Sequence, residues 1–118
     1  MKPTFIIGHL PLIDHLILGV AKQHEGDYLK HLVLNTKLFR NWDTMADALS
    51  GKQIHGAFLL FPLGIEMFRK GMDIKIVLLG HREGQVCVVD NSIRDLKDLK
   101  GKKIFIPHRF SVHYILRW

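Results

Sequence analysis

A single cysteine, Cys87, is all that the sequence offers for disulfide or thiolate chemistry. It excludes a disulfide framework and a cysteine metal cluster, and its place between Val86 and Val88 predicts a buried, inert thiol. No apolar run approaches the about 20 residues that a membrane-spanning helix needs. Residues 1–8 form too short an apolar region for a signal peptide. We therefore expect a globular chain that is either cytoplasmic or given without its export signal.

Recognisable catalytic motifs are also missing. The sequence has no Gly-x-Ser-x-Gly elbow, no Cys/His pair close in sequence and no glycine-rich phosphate loop. It has eight histidines, but neither His9 and His15 nor His108 and His113 have the three- or four-residue spacing that places two ligands on one helical face. We therefore predict that the protein is not an enzyme and has no cofactor and no preformed metal site.

Acidic residues are outnumbered, since 17 Lys and Arg stand against 11 Asp and Glu and give a net charge of +6. The basic residues are scattered singly, apart from Lys102-Lys103, and no surface aromatics are interleaved with them. This pattern favours a solvated basic surface over a nucleic-acid interface. With 47% hydrophobic and 24% charged residues over 118 positions, the chain is expected to form one compact domain.

The stretch from Trp42 to Pro62 carries the strongest local signals. Its first half predicts a short amphipathic helix, with Asn41 or Asp43 as the N-cap and Gly51 as the left-handed stop. Its second half, 54–61, is almost entirely apolar and predicts a buried parallel strand that Pro62 ends. A helix that leads into a buried strand is half of an α/β unit.

The rest of the chain continues the alternation of strands and helices. Strands are predicted at 4–10, 28–34, 74–79, 85–89 and 103–106, with a loop at 35–41. Helices are predicted at 12–23, at 63–70 with Gly71 as its stop, as a short turn at 92–99, and from Ser111 onward. This order predicts a mostly parallel sheet flanked by helices. Because the last helix runs to Trp118 without a cap, we expect the chain to be a piece of a longer protein.

Ligands of parallel sheets bind beyond the carboxyl ends of the strands. The loops expected at that edge are rich in histidine, arginine and aromatic residues, which is typical of a binding site. They are 9–11, 40–42, 61–63, 81–82 and 108–111.

Four blocks, spread over the chain from end to end, carry a family resemblance. They are Pro11-Leu12-Ile13-Asp14 with Leu18 and Ala21-Lys22; Trp42, Thr44, Leu49, Gly51, Ile54, Gly56-Ala57, Leu59-Leu60 and Pro62; residues 98–104 with Pro107; and Ser111, His113, Leu116-Arg117 and Trp118. With these residues the sequence resembles the periplasmic substrate-binding proteins of ABC importers for nitrate, bicarbonate, sulfonates and related small anions. Asp14 and Trp42 fit the nitrate and bicarbonate branch better than the sulfonate branch. Ile13 stands where close members of that branch carry a small polar residue, so the resemblance does not identify the anion.

The resemblance implies a periplasmic-binding-protein type II-like fold of two lobes, with the solute in the cleft between them. Residues 1–90 would form the first lobe, and residues 91–118 the crossover and the opening strand and helix of the second. It implies a small anionic solute and an ABC permease as partners, and a periplasmic or lipoprotein location. We also expect a homodimer through the edge at which the chain is cut.

The same resemblance and the polar loops define the expected ligand-binding residues. Trp42 would be a wall of the anion pocket or a core aromatic at a helix start, and Asp14 would lie near the cleft or merely favour the helix dipole. The full set is His9, Pro11, Asp14, Trp42, Phe61, Pro62, His81, Arg82, Arg109, Ser111 and His113.

Two further functions are compatible with this fold. The first is a cytoplasmic sensor of the nitrate type, which the missing signal peptide motivates. The second is a binding protein or enzyme related to thiamine-pyrimidine synthesis, whose cysteine-rich signature is absent.

Overall fold

A parallel sheet of three strands lies at the centre of the computed structural model, which describes residues 1–80 and 86–115. Strand β1 is Thr4–His9, β2 is Val33–Leu38 and β3 is Gly56–Ala57, in the spatial order β2-β1-β3. β1 runs parallel to both neighbours, from Thr4↔Val33 to His9↔Leu38 on one side and at Ile7↔Gly56 and Gly8↔Ala57 on the other. The predicted α/β class with a parallel sheet is confirmed.

Helices connect and flank these strands. They are a 3-10 turn at Ile13–His15, α1 at Leu16–Gln23, α2 at Glu25–Tyr28, α3 at Trp42–Ser50, α4 at Phe61–Arg69, a second 3-10 turn at Leu96–Leu99 and α5 at Val112–Ile115. The predicted helices at 12–23 and from Trp42 are confirmed in place. Helix α4 begins at Phe61, ahead of the predicted start, because Pro62 in the first turn needs no hydrogen-bond acceptor for a backbone N–H. No helix in the described ranges is both long and apolar enough to cross a membrane.

The second predicted strand was misplaced. Residues 25–28 are helical, and β2 occupies 33–38, where we predicted mostly loop. Glu25 accounts for this corner: its carboxylate accepts hydrogen bonds from the Lys22 ammonium at 2.9 Å and from the Leu34 backbone N–H at 3.2 Å, and the Lys22 bond lowers the pKa of Glu25. β2 is a largely solvated edge strand, so its polar residues resemble a loop in sequence.

The helix ends confirm two of three predicted signals. Asn41 caps α3, since its side-chain oxygen accepts the Thr44 N–H at 2.8 Å, and Gly71 follows α4 with a φ of +88°. Gly51 is not the left-handed residue after α3, because its φ is −78°; Lys52 takes that conformation, with a φ of +56°. The Gln53 N–H then reaches back to the Ala48 carbonyl at 2.9 Å, which closes the helix as a Schellman-type end.

Lys52 therefore holds a conformation that glycine adopts without steric cost. We expect Lys52→Gly to raise the free energy of unfolding by about 0.5–1 kcal/mol. The greater entropy of an unfolded chain with glycine at this position offsets part of that gain. Urea denaturation measures the change. Lys52→Ala is the matched control, because it removes the same side chain but keeps the Cβ, and it should give no stabilisation; an equal gain from both variants would contradict the conformational explanation.

The later predicted strands do not form in the described part of the chain. Residues 74–79, 86–89 and 103–106 carry no strand pairing there, and the 54–61 strand is reduced to Gly56–Ala57 with one further backbone bond on each side. Val77, Val88 and Phe105 are at least 90% exposed. Cys87 is also exposed, so the prediction of a buried thiol was wrong. Apolar β-branched runs need a neighbouring strand to bury them, and none is paired with them among the described residues.

The chain is accordingly less compact than we expected. Its radius of gyration is 17.3 Å, against about 13 Å for a compact domain of 100 residues. Between residues 90 and 101 the order is local: Asp98 accepts the backbone N–H groups of Arg94 and Asp95, which lowers the pKa of its carboxyl group. Gly101, with a φ of +75°, makes the predicted turn.

Helix α3 is the centre of the hydrophobic core. The buried cluster consists of Leu10, Trp42, Met45, Ala46, Ala48, Ile54, Leu63 and Met67. The sheet approaches α3 most closely at Gly8, where a Cβ atom would lie 2.7 Å from Ile54 Cδ1 and 3.1 Å from Met45 Cγ. Gly8 is therefore required because β1 packs closely against Met45 of α3 and against Ile54, just before β3.

Candidate functional site

The carboxyl edge of the sheet gathers most of the residues predicted to bind a ligand. β1 ends at His9 just before Pro11, β2 leads through Asn41 to Trp42, and β3 leads to Phe61 and Pro62 at the start of α4. The three strands are parallel, so these segments leave the sheet at the same edge. The topology thus places them together although they are far apart in sequence.

An aromatic cluster of His15, Trp42 and Phe58 lies at this edge. The imidazole of His15 meets the Trp42 ring edge-on, with 5.6 Å between centroids, and lies 5.2 Å from the Phe58 ring. The Leu10 backbone N–H donates to His15 Nδ1 at 2.9 Å. This bond assigns the proton of the neutral imidazole to Nε2. The cluster joins the segments that follow β1, β2 and β3.

His15 and Phe58 were not among the predicted site residues. In the sequence His15 is one histidine within an apolar helix, and only the fold shows that its side chain turns back to the Leu10 N–H and is 7% exposed. Phe58 reads as one more apolar residue of a strand. No local sequence pattern distinguishes His15 or Phe58 from residues of the hydrophobic core.

Trp42 is placed by the structure in the core cluster, where it is buried. This supports the interpretation of Trp42 as a core aromatic at a helix start, and its contact with His15 puts the same ring at the carboxyl edge. Asp14 is exposed in the 3-10 turn before α1. A Cβ atom on Gly80 would lie 3.9 Å from the Asp14 carbonyl oxygen and 3.3 Å from Phe58, so residue 80 returns to this edge.

The segment 108–113 reaches the same edge from the far end of the chain. His108 Nε2 lies 3.2 Å from Asp43 Oδ1, in the first turn of α3, and Phe110 packs against the core cluster. Ser111 is completely buried, and its hydroxyl oxygen accepts the Tyr114 N–H at 3.2 Å. Ser111 therefore shapes the start of α5 in this structure.

The remaining predicted residues are Arg109, His9 and Phe61, whose surroundings the structure gives, then His113, and finally His81 and Arg82. Arg109 lies over the Phe110 ring at 4.9 Å, Nδ1 of His9 is 3.2 Å from the Leu10 carbonyl oxygen, and Phe61 is exposed at the start of α4. Nδ1 of His113 is a buried nitrogen that finds no hydrogen-bond partner within the described part of the chain. His81 and Arg82 lie outside the described residues.

The described residues include one pair of side chains with metal-binding chemistry at this edge, Asp43 and His108. Two ligands are fewer than a closed zinc site uses. Across the same described ranges, no cluster of three or more histidine, cysteine, aspartate or glutamate side chains could hold a metal ion.

The fold is that of a ligand-binding component of an import system. The chain is similar to the 2.0 Å crystal structure of the ligand-binding component of an ABC-type import system from Staphylococcus aureus with zinc bound, with a TM-score of 0.77 and 32% sequence identity. The match covers 98% of this chain and 41% of the other, so the chain spans about two fifths of that protein's length. No protein-family profile matches the chain, and no curated protein matches it. This neighbour is the ligand-binding component of an import system.

Proposed function

We propose that the chain supplies the first lobe of the solute-binding component of an ABC importer. The proposal is supported by the described segments 9–11, 41–42 and 61–62, which leave a parallel sheet at its carboxyl edge, in a fold that is that of an import system's ligand-binding component. In this proposal residues 1–90 are the first lobe and residues 91–118 open the second. Solute binding would close the lobes by a hinge motion, and an ABC permease would receive the closed form.

The proposed solute is a small anion of the nitrate, bicarbonate or sulfonate type. The net charge of +6 favours anions over cations in the encounter. The start of α4 offers donors near the edge, Arg109 offers a cation, and Nδ1 of His113, unpartnered among the described residues, offers a protonatable nitrogen. The contacting residues would be His9, Pro11, Asp14, Trp42, Phe61, Pro62, His81, Arg82, Arg109, Ser111 and His113.

Zinc is a second candidate solute because it is bound in the Staphylococcus aureus structure. Asp43 and His108 are a described pair at the carboxyl edge whose chemistry suits it, and further ligands would have to complete the coordination. A solute related to the thiamine pyrimidine, or a cytoplasmic sensor role, would also suit the fold. An extracytoplasmic location and a homodimer stay predictions.

Solute titration tests this proposal. The natural gene product that contains residues 1–118 is titrated by calorimetry and thermal shift with nitrate, bicarbonate, methanesulfonate, a thiamine pyrimidine precursor and zinc, with chloride at matched ionic strength as the blank. We expect one of the three anions to raise the melting temperature and to bind with measurable heat. Binding of zinc alone would replace the anion proposal, and an absence of binding by every compound in the folded protein would overturn the solute-binding role.

A pair of arginine variants gives the titration its control. Arg109→Gln should weaken anion binding because it removes the cation beside Phe110. Arg69→Gln removes the same charge from α4, where Arg69 already pairs with Glu66 at 3.2 Å, and should leave binding unchanged. Equal losses in both variants would indicate a general effect of net charge rather than a contact at the edge.

A further inference from the structure

The contact between Asp43 and His108 joins two parts of the chain that are 65 residues apart. Asp43 lies in the first turn of α3, directly after Trp42, and its carboxylate is largely exposed. His108 is mostly buried, with 13% of its side chain exposed. The contact therefore ties a mostly buried imidazole to the start of α3.

Both nitrogens of His108 are used. Nδ1 accepts the backbone N–H of Phe110 at 3.0 Å, so the proton of the neutral imidazole is on Nε2 and is donated to Asp43 Oδ1. The His108 carbonyl also accepts the Ser111 N–H at 3.0 Å. One residue thus closes the turn 108–111 upon itself and attaches that turn to α3.

Three predicted site residues lie in this turn or directly after it. Arg109 lies within it, Ser111 ends it, and His113 follows on α5. Phe110 packs on the core, and the hydrogen bond from His108 to Asp43 holds the turn to the first part of the chain. Neither Asp43 nor His108 is among the residues that the sequence predicts to bind the solute.

We propose that Asp43 and His108 form a positioning clasp, which holds the turn 108–111 at the carboxyl edge and so presents Arg109 to the solute. The clasp rests on the proposed function for its effect on binding. Its structural part, the ordering of the turn by the hydrogen bond, holds whether or not a solute has been identified.

A double-mutant cycle with two readouts tests the clasp in the natural gene product that contains the chain. Asp43→Ala and His108→Ala should each weaken solute binding about two- to tenfold, the range of one net hydrogen bond. The double variant should lose no more than the worse single variant, because both remove the same interaction. His108→Gln, whose amide nitrogen can stand close to the place of Nε2, should bind the anion more tightly than His108→Ala does, because it restores the donor to Asp43.

The second readout is amide hydrogen exchange of Phe110 and Ser111 in the absence of solute. Both alanine variants should exchange faster at these positions, and Asp47→Ala, which removes an exposed carboxylate from the same helix, should not. Additive losses of affinity or unchanged exchange in the alanine variants would overturn the clasp. In a protein that binds none of the tested solutes the exchange readout decides alone, so a failed clasp and a failed solute-binding role are distinguished.

Discussion

Replacing Met45 by alanine is expected to lower the free energy of unfolding by about 2–5 kcal/mol. Met45 is completely buried at the centre of the core cluster, and the backbone of β1 at Gly8 leaves little room for the surroundings to collapse into the space. Urea denaturation followed by far-UV circular dichroism measures the loss. Met45→Leu conserves most of the volume and should cost less than about 1.5 kcal/mol.

Gly8 provides an independent check of the same packing. A Cβ atom at residue 8 would lie too close to Met45, Ile54 and Phe39, so Gly8→Ala should destabilise by about 1–3 kcal/mol. In the double variant, alanine at position 45 removes one of these three clashes, and the combined loss should be smaller than the sum of the single losses. Strict additivity would show that Met45 and residue 8 do not share the space that the structure gives them.

Trp42→Ala is expected to remove about 3–5 kcal/mol of stability, since the ring is buried in the core cluster and touches His15. In a chain whose core is confined to so few residues, that loss should abolish a cooperative unfolding transition. Thermal and urea denaturation of the variant measure it.

Trp42→Phe separates the two interpretations of this residue. Phenylalanine keeps most of the apolar volume but has no N–H donor. If Trp42 donates to an anion, affinity should fall roughly tenfold or more while the fold persists. Unchanged affinity with only a modest loss of stability would show that Trp42 acts as a core aromatic alone.

The helices were predictable because their signals are local. Asn41 and Gly71 act on backbone groups within a few residues of themselves, and each lies at a helix end in the structure; Pro62, which was predicted to end a strand, lies in the first turn of α4. The αL conformation of Lys52 was not predictable, since Gly51 is the residue that tolerates it better.

Strands were predicted less well because pairing is a property of distant segments. The polar residues of β2 gave no apolar run, although the six pairs with β1 place this strand firmly. Conversely, 74–79 has a strand-like composition and no partner in the described residues. Composition reports what a segment could bury, and only the fold decides whether a neighbour is there.

The candidate site divides in the same way. Sequence indicated the segments that follow the strands; Pro11 follows β1 and Trp42 follows β2, whereas His113 lies in α5. It did not single out His15, Phe58, Asp43 or His108 as site residues, although His108 lies in the predicted loop 108–111, because their roles arise from contacts with residues that are far away in the chain or from backbone groups that no sequence pattern marks.

The register of β1 also sets an order of assembly during folding. β1 pairs with β2 across about thirty residues of chain and with β3 across about fifty, and the longer loop costs more entropy to close. We therefore expect the β1-α1-β2 unit to form first and the β3-α4 region to dock on it afterwards. Substitutions along β1 and β2 would then slow folding, whereas substitutions around β3 and α4 would mainly speed unfolding.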